Sequence, residues 1–447
     1  MSLDPQHIAA FKAWQRDTNK FVSDCIPGLQ LTGQQRRGFV ELNRLVNAKL
    51  ARARGEKLLP QEEEYADKIG VSIMSGKGCH AKGTEILMYD GSIKLVENIT
   101  VGDVVMGDDS APRIVTSLAR GRERMWRLRY RDGTYHDVNE SHILSLRSGR
   151  THGKWCRGEI RNVTVKEFLT WPPMRKRHFN AYRVPIEFHG VGKKKLRIPP
   201  YILGLWLGDG CHSSSLFTNV DQEVTEELQA YAVGMNLKYS FDGVKQHRLS
   251  GKIRGLQNGN RHLNALRSYG LWHNKHIPAD YMLASHKNRL ELLAGLIDSD
   301  GTLDNRNRRN FSISQKREAL ARQIFYLARS VGVHATIHPI RKKWQNGIGD
   351  YWQVAMSRNI EQIPTRIARK KPRLAYRRPF DLNFTFSCEP LGEGDFYGFS
   401  LTGNGRFVLG DFTVTHNTGK DTFAALFIIW FLCCFPYSKI PCTAPTG

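Results

Sequence analysis

The sequence lacks several features that mark common classes of protein. None of its eight cysteines forms a CxxC pair, and their spacing matches neither a zinc site nor a disulfide framework. The N-terminal residues show no basic and then apolar signal pattern. The strongly apolar run at residues 423–435 is about 13 residues long, whereas a helix that spans a bilayer needs about 20. We therefore expect a protein of a reducing cytoplasm with no membrane partner, and a buried helix at residues 423–435.

Acidic residues are scarce relative to basic ones. The 447 residues include 66 Lys and Arg but 42 Asp and Glu, which gives a net charge of +24, and residues 79–417 carry +20 of it. A basic excess within one segment is typical of a protein that binds a polyanion, most often nucleic acid, although a merely soluble basic surface has the same composition. The chain is long enough for about three domains of about 150 residues. Its 40% of hydrophobic residues is typical of a globular protein.

A continuous phosphate-binding loop is also absent, but two halves of one lie far apart in the chain. Residues 75–78 read Ser-Gly-Lys-Gly and end directly before Cys79. Residues 418–421 read Thr-Gly-Lys-Asp and begin directly after Asn417. Joined, the two halves approximate the pattern GxxxxGK[ST] of nucleotide-binding ATPases, with deviations at the first and last positions. The sequence therefore indicates that residues 79–417 interrupt an ATPase.

The joined loop would supply the groups that hold ATP and Mg²⁺. Gly76, Gly78 and Gly419 leave room for backbone N–H groups to point at the phosphates. Lys420 would reach the terminal phosphates, and Thr422 would replace the Ser or Thr that usually meets Mg²⁺. Because these groups must stand side by side in one turn, we expect the host to bind ATP only after the two halves are joined.

The residues at the two junctions carry the chemistry that removal of the intervening segment needs. Cys79 has a thiol that can attack the carbonyl of Gly78 and form a thioester. Thr418 has a hydroxyl that can receive the acyl group as an ester. Asn417 can cyclise through its side-chain amide and cut the chain before Thr418, and His416 is placed to protonate or polarise that peptide.

Three stretches resemble the conserved blocks of inteins. Residues 79–87 resemble the first splicing block, and residues 414–417 resemble the last. Residues 138–144 resemble the block in which a histidine activates the upstream scissile amide, so that role falls on His142, with Asn139 in place of the usual threonine. The resemblance implies an all-β, horseshoe-like Hint domain that joins the flanks without a cofactor.

One block departs from the intein pattern. The penultimate block of inteins often carries an Asp or Cys and a His that help the later steps. Here Gly398 stands at the acidic position, and residues 389–415 contain no histidine. Asp411 and Ser400 are polar alternatives that the sequence alone does not assign.

A second motif occurs twice at a constant offset of 91 residues, at residues 202–210 and 293–301. The second copy closely resembles the LAGLIDADG signature of homing endonucleases, and the first is a looser copy. Each copy places small residues four positions apart on one helix face, which lets two helices pack closely. These small residues are Gly204 and Gly208 in the first copy and Gly295 and Ser299 in the second.

Each copy ends in an acid, Asp209 or Asp300, followed by a glycine that terminates the helix. Two carboxylates at adjoining helix ends are hard oxygen ligands for Mg²⁺, which would assist attack on a phosphodiester. The resemblance implies a monomeric αββαββα unit whose sheets bind the major groove and cut both strands of a long double-stranded DNA site. Four basic residues are candidates for neutralising charge near the metal: Lys316, Arg341, Lys342 and Lys343.

The flanks resemble phage terminase large subunits, because an apolar strand at residues 71–74, the loop, the helix and a Thr-Ala-Pro-Thr sequence follow in that order. A helicase is the alternative host, and a bacterial cytoplasm infected by a phage is the expected location. We expect a multi-domain α+β protein with these segments: 1–78 and 418–447 as parts of an α/β P-loop ATPase, 79–165 and 381–417 as the Hint domain, 166–198 as a basic linker or accessory DNA-contacting segment, and 199–380 as the endonuclease.

Two other interpretations of the whole chain remain open. The first is a DNA-binding module that keeps the fold without splicing chemistry. The second is a nucleotide-driven motor with an unusual insertion. Cys79, His142, Asn417 and Thr418 favour splicing over the first, and the interrupted phosphate loop disfavours the second.

Overall fold

The computed structural model shows a helical flank, a β domain built from two separate stretches, and a unit inserted between those stretches. The described residues are 4–26, 33–67, 78–153, 155–189, 195–251, 259–344, 347–373, 382–417 and 420–435. The helical flank comprises α1 (Pro5–Arg16), α2 (Thr18–Cys25), α3 (Gly33–Ala53) and α4 (Pro60–Asp67). In α3, Phe39, Leu42 and Leu45 recur at helical spacing and are buried. The predicted strand at residues 71–74 lies outside the described residues.

The first stretch of the β domain follows directly. Its elements are β1 (His80–Ala81), β2 (Glu85–Leu87), β3 (Ile93–Leu95), a 3₁₀ turn (Val96–Asn98), β4 (Val104–Met106), β5 (Pro112–Tyr130), β6 (Tyr135–Asn139), β7 (Ile143–Ser148), β8 (Ile160–Thr164), α5 (Val165–Thr170), α6 (Pro173–His178) and β9 (Phe179–Tyr182).

Residues up to 182 of the predicted linker, 166–198, belong to this β domain. Strand β9 pairs antiparallel with β7, and Phe168, Trp171 and Phe179 are buried in one hydrophobic cluster. The guanidinium of Arg175 lies 3.7 Å from the ring centre of Trp171. The linker prediction is therefore wrong for this stretch, because its basic side chains cover an aromatic core.

The inserted unit comes next. Its elements are α7 (Pro200–Asp209), β10 (Leu216–Thr218), α8 (Gln222–Gly234), β11 (Leu237–Phe241), β12 (Gln246–Gly251), α9 (Arg261–Ser268), α10 (Ala279–Met282), α11 (His286–Asp300), β13 (Gly301–Leu303), β14 (Asn310–Gln315), α12 (Glu318–Ser330), β15 (His334–Trp344), β16 (Gly347–Ser357) and two 3₁₀ turns (Ile360–Gln362 and Ala368–Lys370).

Each half of the inserted unit follows the order α-β-β-α-β-β. The second half forms a sheet of order β13-β14-β16-β15, and the first half forms a sheet of order β10-β12-β11. The first strand of the first half is reduced to one bridge between Gly210 and Phe217. Helices α7 and α11 contain the two repeats and end at Asp209 and Asp300, as predicted.

The second stretch of the β domain and one further helix complete the chain. These elements are β17 (Asn383–Phe384), β18 (Phe386–Leu401), β19 (Arg406–Val408), β20 (Val414–His416) and α13 (Lys420–Cys434). One sheet has the order β18-β1-β6-β5-β4, and another has the order β17-β9-β7-β20-β19, with β8 paired to β7. Because β1 begins directly after Cys79 and β20 ends directly before Asn417, both junctions reach inner strands of the same domain.

Strands β5 and β18 are much longer than the other strands of this domain. They contain 19 and 16 residues and pair with each other from Tyr130↔Phe386 to Val115↔Leu401. The sequence does not predict the full length of β5, because residues 120–124 are mostly charged. A two-stranded ribbon exposes both faces and therefore shows no apolar alternation.

Helix α13 packs against the N-terminal flank. Leu426 and Trp430 are buried in one hydrophobic cluster with Phe21 and Phe39, and the indole N–H of Trp430 donates to the carbonyl of Trp14 at 2.6 Å. The predicted helix at residues 423–435 is thus confirmed. Within the described part of the chain, no helix is both long and apolar enough to cross a bilayer.

Candidate functional site

Asn139 holds the backbone of Cys79 at the upstream junction. Cys79 is buried, and its backbone N–H donates to Oδ1 of Asn139 at 2.8 Å. The N–H of Asn139 donates in turn to the carbonyl of Cys79 at 3.2 Å. Asn139 therefore takes the position expected for the usual threonine. It accepts a hydrogen bond from the N–H of the peptide between Gly78 and Cys79, the predicted scissile amide.

Glu123 orients Asn139 and was missed by sequence reasoning. Its carboxylate accepts from Nδ2 of Asn139 at 2.5 Å and from both the N–H and the hydroxyl of Ser141, at 3.1 and 2.6 Å. The amide of Asn139 must then point Oδ1 at Cys79. Glu123 lies in the charged ribbon of β5, where the sequence gives no local signal of a buried partner.

His142 contacts elements of both junctions. Its Nε2 lies 2.8 Å from the hydroxyl of Thr415 in β20. Burial and the neighbouring His416 lower the pKa of His142 to about 3, while the backbone of Cys79 opposes that shift. The ring is therefore neutral at pH 7. A Cβ on Gly78 would lie 3.3 Å from Cα of His142, so this residue is next to the upstream junction and bonded to the strand that ends at His416.

Two glycines are packed tightly around Cys79. A Cβ on Gly78 would lie 3.1 Å from the backbone nitrogen of Ile143, and a Cβ on Gly398 would lie 2.3 Å from Sγ of Cys79. Gly398 stands where inteins often carry an acid. It faces the thiol of Cys79 so closely that no side chain fits there. Asp411 does not replace that acid, because its partners are Arg183, Arg329, Thr413 and His136.

The downstream junction is held by the loop before β19. The N–H of Asn417 donates to the carbonyl of Gly405 at 2.9 Å. Gly405 has φ +74°, and a Cβ there would lie 3.1 Å from both the carbonyl oxygen of Asn417 and the ring of His416. Burial and the charge of Arg406 lower the pKa of His416 to about 4, while Asp108 opposes the shift. Thr418 lies outside the described residues.

In the inserted unit, glycines bring α7 and α11 together backbone to backbone. A Cβ on Gly204 would lie 2.3 Å from the carbonyl of Leu292, and a Cβ on Gly295 would lie 2.1 Å from the carbonyl of Tyr201. At the helix ends, a Cβ on Gly208 would meet the hydroxyl of Ser299 and, at 3.2 Å, the carboxyl carbon of Asp300. The small residues therefore act as the repeat predicts.

The two acids meet where these helices end. Burial raises the pKa of Asp209 to about 6, and the charge of Asp300 adds to that shift. Asn219 donates to Asp209 at 2.6 Å, and Gln315 donates to Asp300 at 2.8 Å. The side-chain amides of Asn219 and Gln315 thus orient one carboxylate each. The sequence predicted the two acids but not these two amides.

Two lysines lie at the ends of these helices, and neither is among the four predicted basic candidates. Nζ of Lys275 donates to the carbonyl of Gly208 at 2.9 Å. Burial lowers the pKa of Lys275, and the charges of Asp300 and Asp209 oppose that shift. Nζ of Lys370 donates to the carbonyls of residues 297 and 298 at 2.8 and 2.7 Å. Both ammonium groups satisfy helix C-termini beside the acids.

The predicted phosphate loop is only partly described. Gly76 and Gly419 lie outside the described residues, as do the side chains of Lys420 and Thr422. Gly78 packs against the β domain at the upstream junction.

Two parts of the chain match known families. Residues 79–170 match the family described as Hom_end-associated Hint. The β domain is a Hint domain. Residues 287–367, in the second half of the inserted unit, match the LAGLIDADG-like domain family. The Hint match runs past residue 165 and agrees with the placement of α5 in that domain.

Two curated proteins are similar over long alignments. The replicative DNA helicase DnaB of Mycobacterium intracellulare is 27% identical over 266 residues, which covers 56% of this chain and 42% of that protein. The catalytic subunit of the V-type proton ATPase of Candida tropicalis is 21% identical over 476 residues, which covers 77% of this chain and 44% of that protein. The chain spans less than half the length of these relatives.

Solved structures also match parts of the chain. Mesophilic variants of the homing endonuclease I-DmoI are 16% identical and cover 36% of this chain and 83% of theirs, with a TM-score of 0.26. The gp41-1 intein is 19% identical and covers 20% of this chain and 81% of its own, with a TM-score of 0.15.

Proposed function

We propose that this chain is a self-splicing precursor in which residues 79–417 excise themselves and join Gly78 to Thr418. The observation that carries the proposal is His142, whose ring bonds to the hydroxyl of Thr415 and whose Cα would lie 3.3 Å from a Cβ on Gly78. One buried residue therefore lies between the two scissile peptides, which are 339 residues apart in sequence.

In the first step, the thiol of Cys79 attacks the carbonyl carbon of Gly78, and the bond from that carbon to the amide nitrogen of Cys79 breaks. A thioester forms, the thiol proton passes to base, and the freed nitrogen takes up a proton. Neutral His142 can accept the thiol proton and return it to the freed nitrogen, while Oδ1 of Asn139 holds the N–H of Cys79 before the attack. Packing of Gly78 against Ile143 fixes the carbonyl for attack.

The later steps transfer the acyl group and cut the downstream junction. The hydroxyl of Thr418 attacks the thioester, so that an ester forms and the thiol of Cys79 is released. The side-chain nitrogen of Asn417 then attacks its own carbonyl carbon and expels the amine of Thr418 as a succinimide forms. His416 precedes Asn417 in the chain, and it can accept the proton that the attacking amide loses and pass it to the leaving nitrogen. The free amine finally attacks the ester and gives the ordinary peptide bond.

We also propose that residues 199–380 cleave both strands of a long double-stranded DNA site. The carboxylates of Asp209 and Asp300 fit a divalent cation such as Mg²⁺, because both are oriented by amides and the raised pKa of Asp209 records a site that favours added positive charge. No group of three or more His, Cys, Asp or Glu within the described ranges forms a complete metal site. The remaining ligands would therefore come from water and DNA phosphates.

The bound cation would polarise the phosphodiester, while Lys275 places a second positive charge beside the acids. Exchange of Mg²⁺ for EDTA should abolish cleavage, and Asp300→Asn should do the same with Mg²⁺ present. A plasmid that carries the joined coding sequence of the flanks is the first substrate to test. Cleavage by Asp300→Asn at the wild-type rate would contradict the assignment.

For the host, we propose a P-loop ATPase that resembles a terminase large subunit, with a helicase as the alternative. The alignment with DnaB does not distinguish them, because the flanks make up less than a quarter of the chain and most aligned residues must lie in 79–417. A monomer in a bacterial cytoplasm stays our prediction.

Expression of the wild type beside Cys79→Ala/Asn417→Ala tests splicing directly. A denaturing gel with intact mass should show the excised segment of residues 79–417 and a ligated product of both flanks. A wild type that stays at 51.0 kDa, like the double variant, would overturn the proposal and leave the DNA-binding module that does not splice.

A further inference from the structure

Helix α12 of the inserted unit contributes a buried cation to the Hint domain. The side chain of Arg329 is 1% exposed, and it pairs with Asp132 at 2.8 Å and with Asp411 at 3.3 Å. Both acids belong to the Hint domain, one from each of its two stretches. Arg329 therefore crosses the boundary between the two folded units, where it and Asp132 are buried and Asp411 is 18% exposed.

Arg183 completes a neutral cluster with these residues. It pairs with Asp132 at 2.8 Å and with Asp411 at 3.0 Å, and its side chain is 4% exposed. Burial alone would raise the pKa of Asp132, but Arg183 and Arg329 hold it below the ordinary value. Two cations and two anions cancel, and removal of Arg329 would leave a buried negative charge.

The same helix holds the turn at Asp411 and Phe412. Phe412 has φ +70°, a left-handed conformation that is uncommon for a residue with a side chain. Its ring makes an edge contact with Tyr326 of α12, with 4.7 Å between ring centres. The turn is therefore fixed from the inserted unit by one ring contact and one ion pair.

This turn leads directly into the splicing site. Strand β20 begins two residues after Phe412, and its Thr415 binds His142. Asp411 also lies 3.5 Å from Nε2 of His136. His136 lines, together with His142 and Thr415, a cavity of about 20 Å³, which is room for about one water molecule.

We propose that Arg329 is a positioning residue for splicing, so that the endonuclease unit completes the Hint domain. Arg329 and Tyr326 hold the turn at residues 411–412, and this turn fixes the position of β20. Strand β20 then places the hydroxyl of Thr415 against His142. It also positions the side-chain amide of Asn417 for attack on the Asn417 carbonyl carbon. The inference rests on the proposed splicing function. It predicts a larger effect at the downstream junction, which β20 carries, than at the upstream one.

The test compares Arg329→Met with Arg322→Met in the full chain. Arg322 is an exposed residue of the same helix whose partners, Glu318 and Trp352, both lie within the inserted unit. Downstream cleavage is measured in a Cys79→Ala background, and thiol-induced upstream cleavage in an Asn417→Ala background. We expect Arg329→Met to slow downstream cleavage about tenfold or more and upstream cleavage less, since small misplacements of reacting groups are costly.

Arg329→Met alone leaves a buried negative charge that can destabilise the fold, so a second variant separates folding from positioning. Asp132→Asn/Arg329→Met keeps the cluster neutral but lacks the contact with Asp411. It should melt near the wild-type temperature and still cleave slowly downstream, whereas Arg329→Lys should recover part of the rate. Equal downstream rates in the neutral double variant and Arg322→Met would overturn the inference. A wild type that cleaves at neither junction would overturn the proposed function instead.

Discussion

His80, His142 and His416 are buried histidines at or near the two junctions of the Hint domain. Burial is the main cause that lowers the pKa of each, to about 3 for His142, to about 4 for His416 and well below 6.5 for His80. The unfolded chain gains protons as pH falls through 6.5, while the folded chain does not. The free energy of unfolding should therefore decrease below pH 6.5, by about 2 kcal/mol per histidine at pH 5.

Urea unfolding of Cys79→Ala/Asn417→Ala at pH 7.5 and pH 5 measures this loss without interference from splicing. His142→Gln in the same background should lose less stability between the two pH values. The difference should be about 2 kcal/mol, the contribution of one histidine. An identical loss in both proteins would show that His142 is already protonated or exposed in the folded state.

Glu123 should matter for upstream activation alone. Its carboxylate accepts from Asn139 and Ser141, and in Glu123→Gln one oxygen becomes an amide donor that opposes Nδ2 of Asn139. The Asn139 amide should then turn and present a donor to the N–H of Cys79. We expect thiol-induced cleavage to slow about tenfold, while downstream cleavage in a Cys79→Ala background stays unchanged. Glu393→Gln, at an exposed position of β18, serves as the control, and an equal rate in both variants would contradict the role of Glu123.

At the level of residues, the sequence could predict side chains whose position in the chain defines their chemistry. Cys79 and Asn417 stand at the ends of the segment, and Asp209 and Asp300 end the two repeats. Glu123, by contrast, is one charge among several in an exposed ribbon. Its role depends on the pairing of β5 with β6, which brings Met125 opposite Asn139. No local pattern encodes such a pairing.

At the level of elements, the contact between α7 and α11 depends on glycine. Gly295→Ala would place a Cβ 2.1 Å from the carbonyl of Tyr201, so the helices must separate. We expect a loss of about 1–3 kcal/mol in the free energy of unfolding and a loss of DNA cleavage, because Asp209 and Asp300 would move apart. Gly234→Ala, at a helix position with no atom within 4 Å, should change neither quantity. Unfolding curves and plasmid cleavage measure both, and normal cleavage by Gly295→Ala would show that close packing does not set the site.

The repeat predicted these helices because its small residues and acids recur at one spacing. The extent of β5 and β18 escaped prediction because each finds its main partner more than 250 residues away. The sequence did not predict that residues 166–182 contribute to the core of the Hint domain, for a related reason. Their aromatic side chains become a core only when β9 joins β7, and in the sequence the surrounding basic residues dominate.

At the level of the whole molecule, the joined phosphate loop predicted an interruption but not the contact between the inserted unit and the Hint domain. That contact includes the cluster of Arg183, Arg329, Asp132 and Asp411. Charge counts alone cannot locate it, since the four residues come from four distant parts of a basic chain. The inserted unit is therefore a structural neighbour of the proposed splicing site as well as the unit of a separate proposed activity.

The two flanks are also in contact before any splicing has occurred. Trp430 of α13 is buried against α1 to α3, and its indole N–H donates to the carbonyl of Trp14. Helix α13 begins two residues after Thr418, so we expect this packing to restrain the proposed acceptor for the acyl group. Trp430→Ala should cost the flank unit about 3–5 kcal/mol and release that restraint.

We expect Trp430→Ala to form the thioester normally but to transfer it poorly, so that hydrolysed flanks accumulate at the expense of the ligated product. Leu432→Ala, at a half-exposed position of the same helix, should ligate like the wild type. The ratio of ligated to hydrolysed product on a denaturing gel, with intact mass to identify each band, measures the difference. Equal ratios in the two variants would mean that the Hint domain alone positions Thr418 and that packing of the flanks follows splicing without guiding it.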